Sequence, residues 1–348
     1  MSRKAAQTGP GAMVLVAIEQ AFPEGERIID DDLAYRILPL TFRVNVWIST
    51  RLKDWLIKKT EEKVPGLWGG IMARKAYIDD IVSNAAGDQI DAVVNLGAGF
   101  DTRAFRLAAL TEVPVWEVDQ AQNIEAKRKR LERLFGDVPA HVTLVPIDFD
   151  HEDLPTVLAS HRYEPEKKTF FIWEGVTQYV TESGIRATFG FLSKAPAGSR
   201  LVFTYTPKDF IEGEAFYGQE YLYRKMLLKD KIWVFGFDPE IIDDFLGKYG
   251  WRVVEHLGYD EDSARTLLAD KCDQLSGIFF CNTQPGMHHG AEAGIGNKPL
   301  TTFLERKIDG LFRAEIDTDP TAFAIDFIDH EMFADGIKTA SFDTLSAQ

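Results

Sequence analysis

Val93-Val94-Asn95-Leu96-Gly97-Ala98-Gly99-Phe100-Asp101-Thr102-Arg103 decides the fold. A short apolar run, Ala92 to Leu96, has the look of a buried strand and delivers the chain into two glycines separated by one small residue. Asp101 and Thr102, both good N-cap residues, then lead into Arg103-Ala104-Phe105-Arg106-Leu107. This predicts a strand, a tight turn whose backbone can approach a ligand, and a helix start with free N–H groups. In a parallel α/β sheet a nucleotide-like cofactor docks at such a turn. Taken alone, a glycine pair after a strand is equally a plain βα connection, so the neighbouring segments have to decide.

Downstream the chain alternates. Val115-Trp116-Glu117-Val118-Asp119 reads as a second strand, His141 to Ile147 as a third, Thr169 to Trp173 as a fourth and Arg200 to Tyr205 as a fifth. Trp251 to Leu257 and Ser276 to Cys281 read as two late strands. Helical stretches lie between: Gln122 to Phe135, Ser183 to Ala195, and Asp238 to Lys248 with Asp238-Pro239 as cap and first position. Lys127-Arg128-Lys129-Arg130 reads as a solvated helix face rather than a phosphate site. The alternation predicts a doubly wound, mostly parallel α/β sheet.

About ninety residues, mostly helical, precede the turn. Ala12 to Phe22, Leu33 to Leu38 behind Asp30-Asp31-Asp32, residues 42–60 and Ile71 to Ser83 show helical spacing, broken by Pro23, Pro39 and Pro65-Gly66. Residues 1–90 are therefore expected to form an N-terminal helical cap, and 91–283 the Rossmann-like core. Residues 284–348 form a C-terminal extension that breaks the alternation, a lid or an oligomer contact. In it Gln284 to Lys298 is a Gly- and His-rich loop, and Thr301 to Phe312 and Thr321 to Phe333 are helical. His288, His289 and His330 have no metal-ligand spacing, so no metal is expected.

The bulk numbers narrow the function. A net charge of −15 over 348 residues supplies no broad basic face for nucleic acid. No apolar run approaches the roughly 20 residues of a membrane span. Two distant cysteines, Cys272 and Cys281, fit a reducing cytoplasm. Three successive strands end in acids beside one crevice: Asp119, Asp148 and Glu174. Asp119 follows the glycine pair by about twenty residues, the spacing at which a carboxylate accepts ribose hydroxyls. Asp148 is placed to accept from an adenine amine while Phe149 packs on the ring. A dinucleotide fingerprint wants a third glycine where Thr102 stands, and pyrophosphate would meet Asp101. S-adenosyl-L-methionine, a phosphate-free sulfonium, suits an acid-lined pocket better than NAD.

Together these segments carry a resemblance. VVNLGAGFDTRAFRL (93–107), Glu117-Val118-Asp119-Gln120, Val145-Pro146-Ile147-Asp148-Phe149, Trp173-Glu174-Gly175-Val176-Thr177-Gln178-Tyr179 and Arg74-Lys75-Ala76-Tyr77-Ile78-Asp79-Asp80 resemble the leucine carboxyl methyltransferase family. The likeness is closest to its branch of S-adenosylmethionine-dependent O-methyltransferases, which includes polyketide-tailoring enzymes of secondary metabolism. It runs over roughly residues 12–260 and implies a seven-stranded methyltransferase sheet. It also implies that Arg74 binds the methionine carboxylate, that Gly97 and Gly99 line the methionine side, and that Asp119 holds the ribose. Asp148 and Phe149 would hold the adenine, Glu174 would sit near the donor's amino group or sulfonium, and Tyr179 would edge the substrate pocket. The acceptor implied is a carboxylate or hydroxyl of a small molecule. A carboxylate needs no base; for a hydroxyl the candidates are Glu174, His151 and His256, so the catalytic residue stays open. A homodimer also stays open. The competing readings are an NAD-dependent oxidoreductase and a non-catalytic protein that keeps the fold.

Overall fold

The computed structural model describes residues 10–88, 90–149, 151–257 and 277–282. Five strands form a parallel sheet: β1 (Ala92–Leu96), β2 (Val115–Asp119), β3 (Val142–Pro146), β4 (Thr169–Trp173) and β5 (Arg200–Tyr205), in the order β3-β2-β1-β4-β5. Of the seven strands expected in a mostly parallel sheet, these five make the parallel part. The two late segments, β6 (Arg252–Leu257) and β7 (Gly277–Asn282), run as an antiparallel addition, β7 pairing with β5 and then β6 with β7. Their apolar composition identifies strands without fixing direction; β7 pairs antiparallel with β5 over Arg200 to Tyr205.

From β1 the chain winds outward to β2 and β3, then returns across to β4 on the other side of β1. The order reverses between β1 and β4, and a crevice opens outside the carboxyl ends of strands at such a switch point. The Gly97–Gly99 turn leaves β1 there and Glu174-Gly175 leaves β4 beside it.

Alternate strand residues feed two cores, one on each face. Val93, Val115, Phe170, Ile172 and Val202 face a core shared with the N-terminal helices, through Ile18, Ile37, Met72, Ile78 and Val82. Val94, Trp116, Val118, Phe171, Trp173 and Phe203 face the other, closed by Ile185, Phe189, Phe237 and Trp251. Burial is continuous along β1, β2 and β4, so both faces of these strands are apolar, as a sheet covered on both sides requires.

Helix Leu67–Gly87 is the beam that presents residues to the crevice. It starts after Gly66, which takes a left-handed φ of 76°. The Glu61 carboxylate accepts from the Gly66 N–H at 2.6 Å and the Trp68 N–H at 3.1 Å, satisfying donors that the helix start leaves open. Trp68, Met72, Ile78, Val82 and Ala85 bury one side. Helix Leu40–Ser49 and helix Lys53–Lys63 are separated by a 3-10 turn, so the single helix expected over 42–60 is broken there. The helix expected from Asp238 begins only at Ile242; the Asp238 carboxylate instead caps a turn through the Glu240 N–H at 2.9 Å.

Lys127 is not on a solvated face: in helix Ala121–Phe135 it is fully buried and its Nζ meets Glu117 Oε1 of β2 at 2.8 Å. Burial pushes the Glu117 carboxyl up to about 7, against the pull of Lys127. A carboxyl raised in the folded state favours folding most below its unfolded value of 4.5, and loses that contribution as pH climbs through about 7. Lys127→Met strands the carboxylate, so denaturant unfolding is expected to show a loss of about 3–5 kcal/mol at pH 8. The loss at pH 6, where Glu117 takes up a proton, is expected to be much smaller. Equal losses at the two pH values would exclude this account.

The N-terminal residues 1–9, and the loop and two helices expected beyond Thr283 with His288, His289 and His330, lie outside the described residues. Among the described residues no helix is long and apolar enough to cross a membrane, and no cluster of His, Cys, Asp and Glu could hold a metal ion.

Candidate functional site

Gly97 and Gly99 both take positive φ, 76° and 45°, so the turn after β1 needs residues without a Cβ. A Cβ on Gly97 would stand 2.2 Å from Val176 Cγ2, which shows how tightly the turns after β1 and β4 are packed. The Gly99 N–H donates to Asp119 Oδ2 at 2.6 Å, while Oδ1 accepts from the Gln120 N–H at 2.6 Å and Asn123 Nδ2 at 2.8 Å. Burial pushes the Asp119 carboxyl up, and these three donors pull it back. Three of its roughly four acceptor directions are already used. Register carries the line on to β3: Asp119 lies opposite Pro146, and the Ile147 N–H donates to the Asp119 carbonyl at 2.9 Å. Asp148 follows half in solvent, its carboxylate 2.8 Å from His151 Nδ1, and Phe149 packs against the second core.

On the other side of the switch point Glu174 sits among cations. Its Oε1 lies 2.9 Å from Arg74 Nε and 3.5 Å from Lys75 Nζ, and its Oε2 lies 2.7 Å from Arg103 Nη1. Burial alone would raise this carboxyl, but Lys75, Arg103 and Arg74 together hold it well below the usual carboxylate range. Arg103 is the hub. Only 2% exposed, it also meets Asp79 at 2.6 Å and Asp101 at 2.5 Å and donates to the Lys75 carbonyl at 3.2 Å. Arg106 extends the network to Asp79 at 2.5 Å and Asp31 at 3.4 Å, and Thr102 donates its hydroxyl to Asp31. Asp101, not Thr102, caps the short helix, accepting from the Arg103 N–H at 2.8 Å. The two expected cap residues thus have different jobs.

Arg74 spends Nε on Glu174. Its Nη2 lies 3.8 Å from where a Gly175 Cβ would be, over the turn that leaves β4. Tyr179 ends the 3-10 turn Thr177–Tyr179 and meets the Trp233 ring edge-on at 6.2 Å. Segment 232–235 lies against this loop, its Val234 N–H donating to the Gln178 carbonyl at 2.8 Å. The structure therefore brings Arg74, Gly97 and Glu174 together where β1 and β4 end, joins Gly99 to Asp119 where β1 and β2 end, and sets Asp148 and Phe149 after β3 and Tyr179 on the turn after β4.

The profile of the leucine carboxyl methyltransferase family matches residues 11–193. The chain belongs to the leucine carboxyl methyltransferase family. It is an S-adenosyl-L-methionine-dependent methyltransferase by that membership. A protein of Mycolicibacterium smegmatis, provisionally named an S-adenosyl-L-methionine-dependent methyltransferase, is 30% identical over 69% of this chain and 80% of its own length. A Mycobacteroides abscessus protein with the same provisional name is 28% identical over 62% of this chain and 71% of its own. A crystal structure of a DUF574 family protein from Streptomyces avermitilis is 14% identical over 72% of this chain and 95% of its own, with a TM-score of 0.47.

Sequence reasoning left out Lys75, Asp79, Arg103 and Arg106. Arg103 lies in the turn after β1, but besides the neighbouring Asp101 its partners come from helix Leu67–Gly87, through Asp79 and the Lys75 carbonyl, and from Glu174 after β4, and no local period connects these stretches.

Proposed function

We propose that the protein transfers the methyl group of S-adenosyl-L-methionine to a carboxylate oxygen of a small-molecule acceptor. The donor set fits the cofactor: Arg74 Nη atoms over a glycine turn suit its carboxylate, and Asp119 keeps one acceptor direction for a ribose hydroxyl. In this reading Asp148 and Phe149 take the adenine, Glu174 the cationic end, and Tyr179 with Trp233 the acceptor side. When bound, the sulfonium supplies the electrophilic methyl.

The observation that carries the acceptor choice is the state of Glu174. Three cations hold it ionised, so the carboxylate nearest the expected transfer point takes up no proton near neutral pH. His151 is 80% exposed at the adenine end, bonded to Asp148. An acceptor that arrives already ionised needs no base. With the donor held by Arg74, Asp119 and Glu174, an ionised acceptor oxygen would take the methyl as the C–S electron pair stays with sulfur, so no proton would have to move. What the chain must supply is alignment and exclusion of water.

The test is a panel of carboxylic acids and phenols with methyl-tritiated donor, scored by alkali-labile methanol release. Methyl esters are expected, with kcat changing less than about threefold from pH 6.5 to 9. Turnover confined to phenols, rising with pH and abolished in His256→Gln, would replace this reading by hydroxyl methylation through the His256–Tyr205 pair, whose Nε2 and hydroxyl are 3.0 Å apart. For the cofactor end, Asp119→Ala is expected to weaken S-adenosylhomocysteine about tenfold or more by calorimetry, and Asp148→Ala less, because Asp148 is half in solvent. No loss in either variant would move the cofactor elsewhere, and binding of NAD in its place would restore the oxidoreductase.

A further inference from the structure

Helix Leu40–Ser49 buries Val46 yet leaves Leu40, Val44 and Trp47 open to solvent at spacings of four and three, each at least half exposed. Leu52 on the following turn and Trp55 on helix Lys53–Lys63 are exposed too. Large apolar side chains left exposed in such number over sixteen residues, two tryptophans among them, mark an interaction site. It is also basic, in a chain of net charge −15. Residues 40–63 carry Arg43, Arg51, Lys53, Lys58, Lys59 and Lys63 against Asp54, Glu61 and Glu62. The Arg51 guanidinium stacks on the Trp47 ring at 3.6 Å, and Arg43 lies near enough to Arg130 to repel it.

The complement of this surface is in the same chain. Residues 314–335 hold Glu315, Asp317, Asp319, Asp326, Asp329, Glu331 and Asp335 with no lysine or arginine. Ile316, Phe323, Ile325, Phe327, Ile328, Met332 and Phe333 are interleaved with them. We infer that the acidic, aromatic segment 314–335 docks in cis on the basic, tryptophan-bearing face of residues 40–58.

Reach permits it. The roughly 30 residues between Asn282 and this segment have a root-mean-square span of about 30 Å if flexible, and about 100 Å if extended. For a flexible linker of that length the effective concentration would be about millimolar. A second copy of the same face is disfavoured as the occupant, because a two-fold contact would set Arg43, Arg51 and their neighbours against themselves. The inference is independent of the acceptor assigned above, since none of residues 40–58 is among those assigned to the methyl-transfer site.

The full-length chain tests it by amide hydrogen exchange over 40–58 and zero-length carbodiimide cross-linking. Protection of 40–58 is expected to fall at least tenfold in the variant D326K/D329K/E331K, and in the wild type at 1 M NaCl. Adding R43E/R51E to that variant is expected to restore it. Cross-links are expected from Lys53, Lys58 or Lys59 to carboxylates within 315–335, and in a mixture of isotopically light and heavy chains they should stay within one chain. Identical exchange in wild type and the triple variant would overturn the inference. So would cross-links found only between different chains, which assign the face to a second copy, or protection that appears only with phosphatidylglycerol vesicles, which assigns it to a membrane surface.

Discussion

Arg103→Met is expected to be the most damaging single substitution in the described chain. Methionine approximates the length of the side chain but removes the charge that Asp79, Asp101 and Glu174 share. Breaking one buried pair costs about 3–5 kcal/mol, because the remaining charge is left unpaired in a poor solvent. Here three carboxylates lose one partner, so the loss is expected at or above the top of that range, comparable to the whole stability of an ordinary domain. Where the variant does not accumulate, the milder Arg103→Lys serves: it keeps the charge but cannot span three carboxylates with a rigid fork. It is expected to lose about 2 kcal/mol or more in denaturant titration. A wild-type-like midpoint for Arg103→Lys would show that charge alone, not geometry, is what the hub supplies.

The same network sets the acid limit. Arg103 and Lys75 hold the Asp101 carboxyl down to about 2 against the effect of burial, and Glu174 is likewise held low. A carboxyl depressed in the folded state contributes stability that is complete above its unfolded value, 3.8 for Asp101, and is lost as pH falls through about 2. The wiring is thus intact across the whole neutral range, which is where Glu174 has to stay ionised for the proposed chemistry.

What the sequence made legible follows from range. The strand-turn-helix of 92–106, the five parallel strands and the acids at their ends are local patterns, and period, glycine spacing and strand ends reveal them. The hub is not local. Glu174 shows itself as an acid at a strand end, but its pairing with Arg103, and through it with Lys75 and Asp79 of helix Leu67–Gly87, depends on tertiary closure that no single stretch reveals. Lys127 is an intermediate case. Ile124, Lys127 and Leu131 share one face at spacings of three and four, and Ile124 and Leu131 are buried. Glu117 stands in an apolar strand. Position, rather than the run of four cations, was the signal, and composition hid it.

Gly97→Ala is the second large effect, and it separates two causes that usually travel together. At φ 76° an alanine pays the left-handed cost, about 1–2 kcal/mol. Its Cβ would also stand 2.2 Å from Val176 Cγ2, and forcing volume into a packed contact costs about 1–3 kcal/mol more. The variant is therefore expected to be about 2–5 kcal/mol less stable, and, because the turn must move to relieve the overlap, to bind S-adenosylhomocysteine at least a hundredfold more weakly. Val176→Ala in the same chain removes the obstructing methyls but leaves φ untouched. The double variant should recover the packing part and none of the backbone part, a coupling of about 1–3 kcal/mol in a double-mutant cycle. Full recovery would mean that backbone strain contributes nothing and that the glycine is there for space alone. No recovery would mean that the positive φ is the entire requirement. Recovery of stability without recovery of affinity would locate the turn's backbone itself, rather than its packing on β4, as the surface that meets the cofactor.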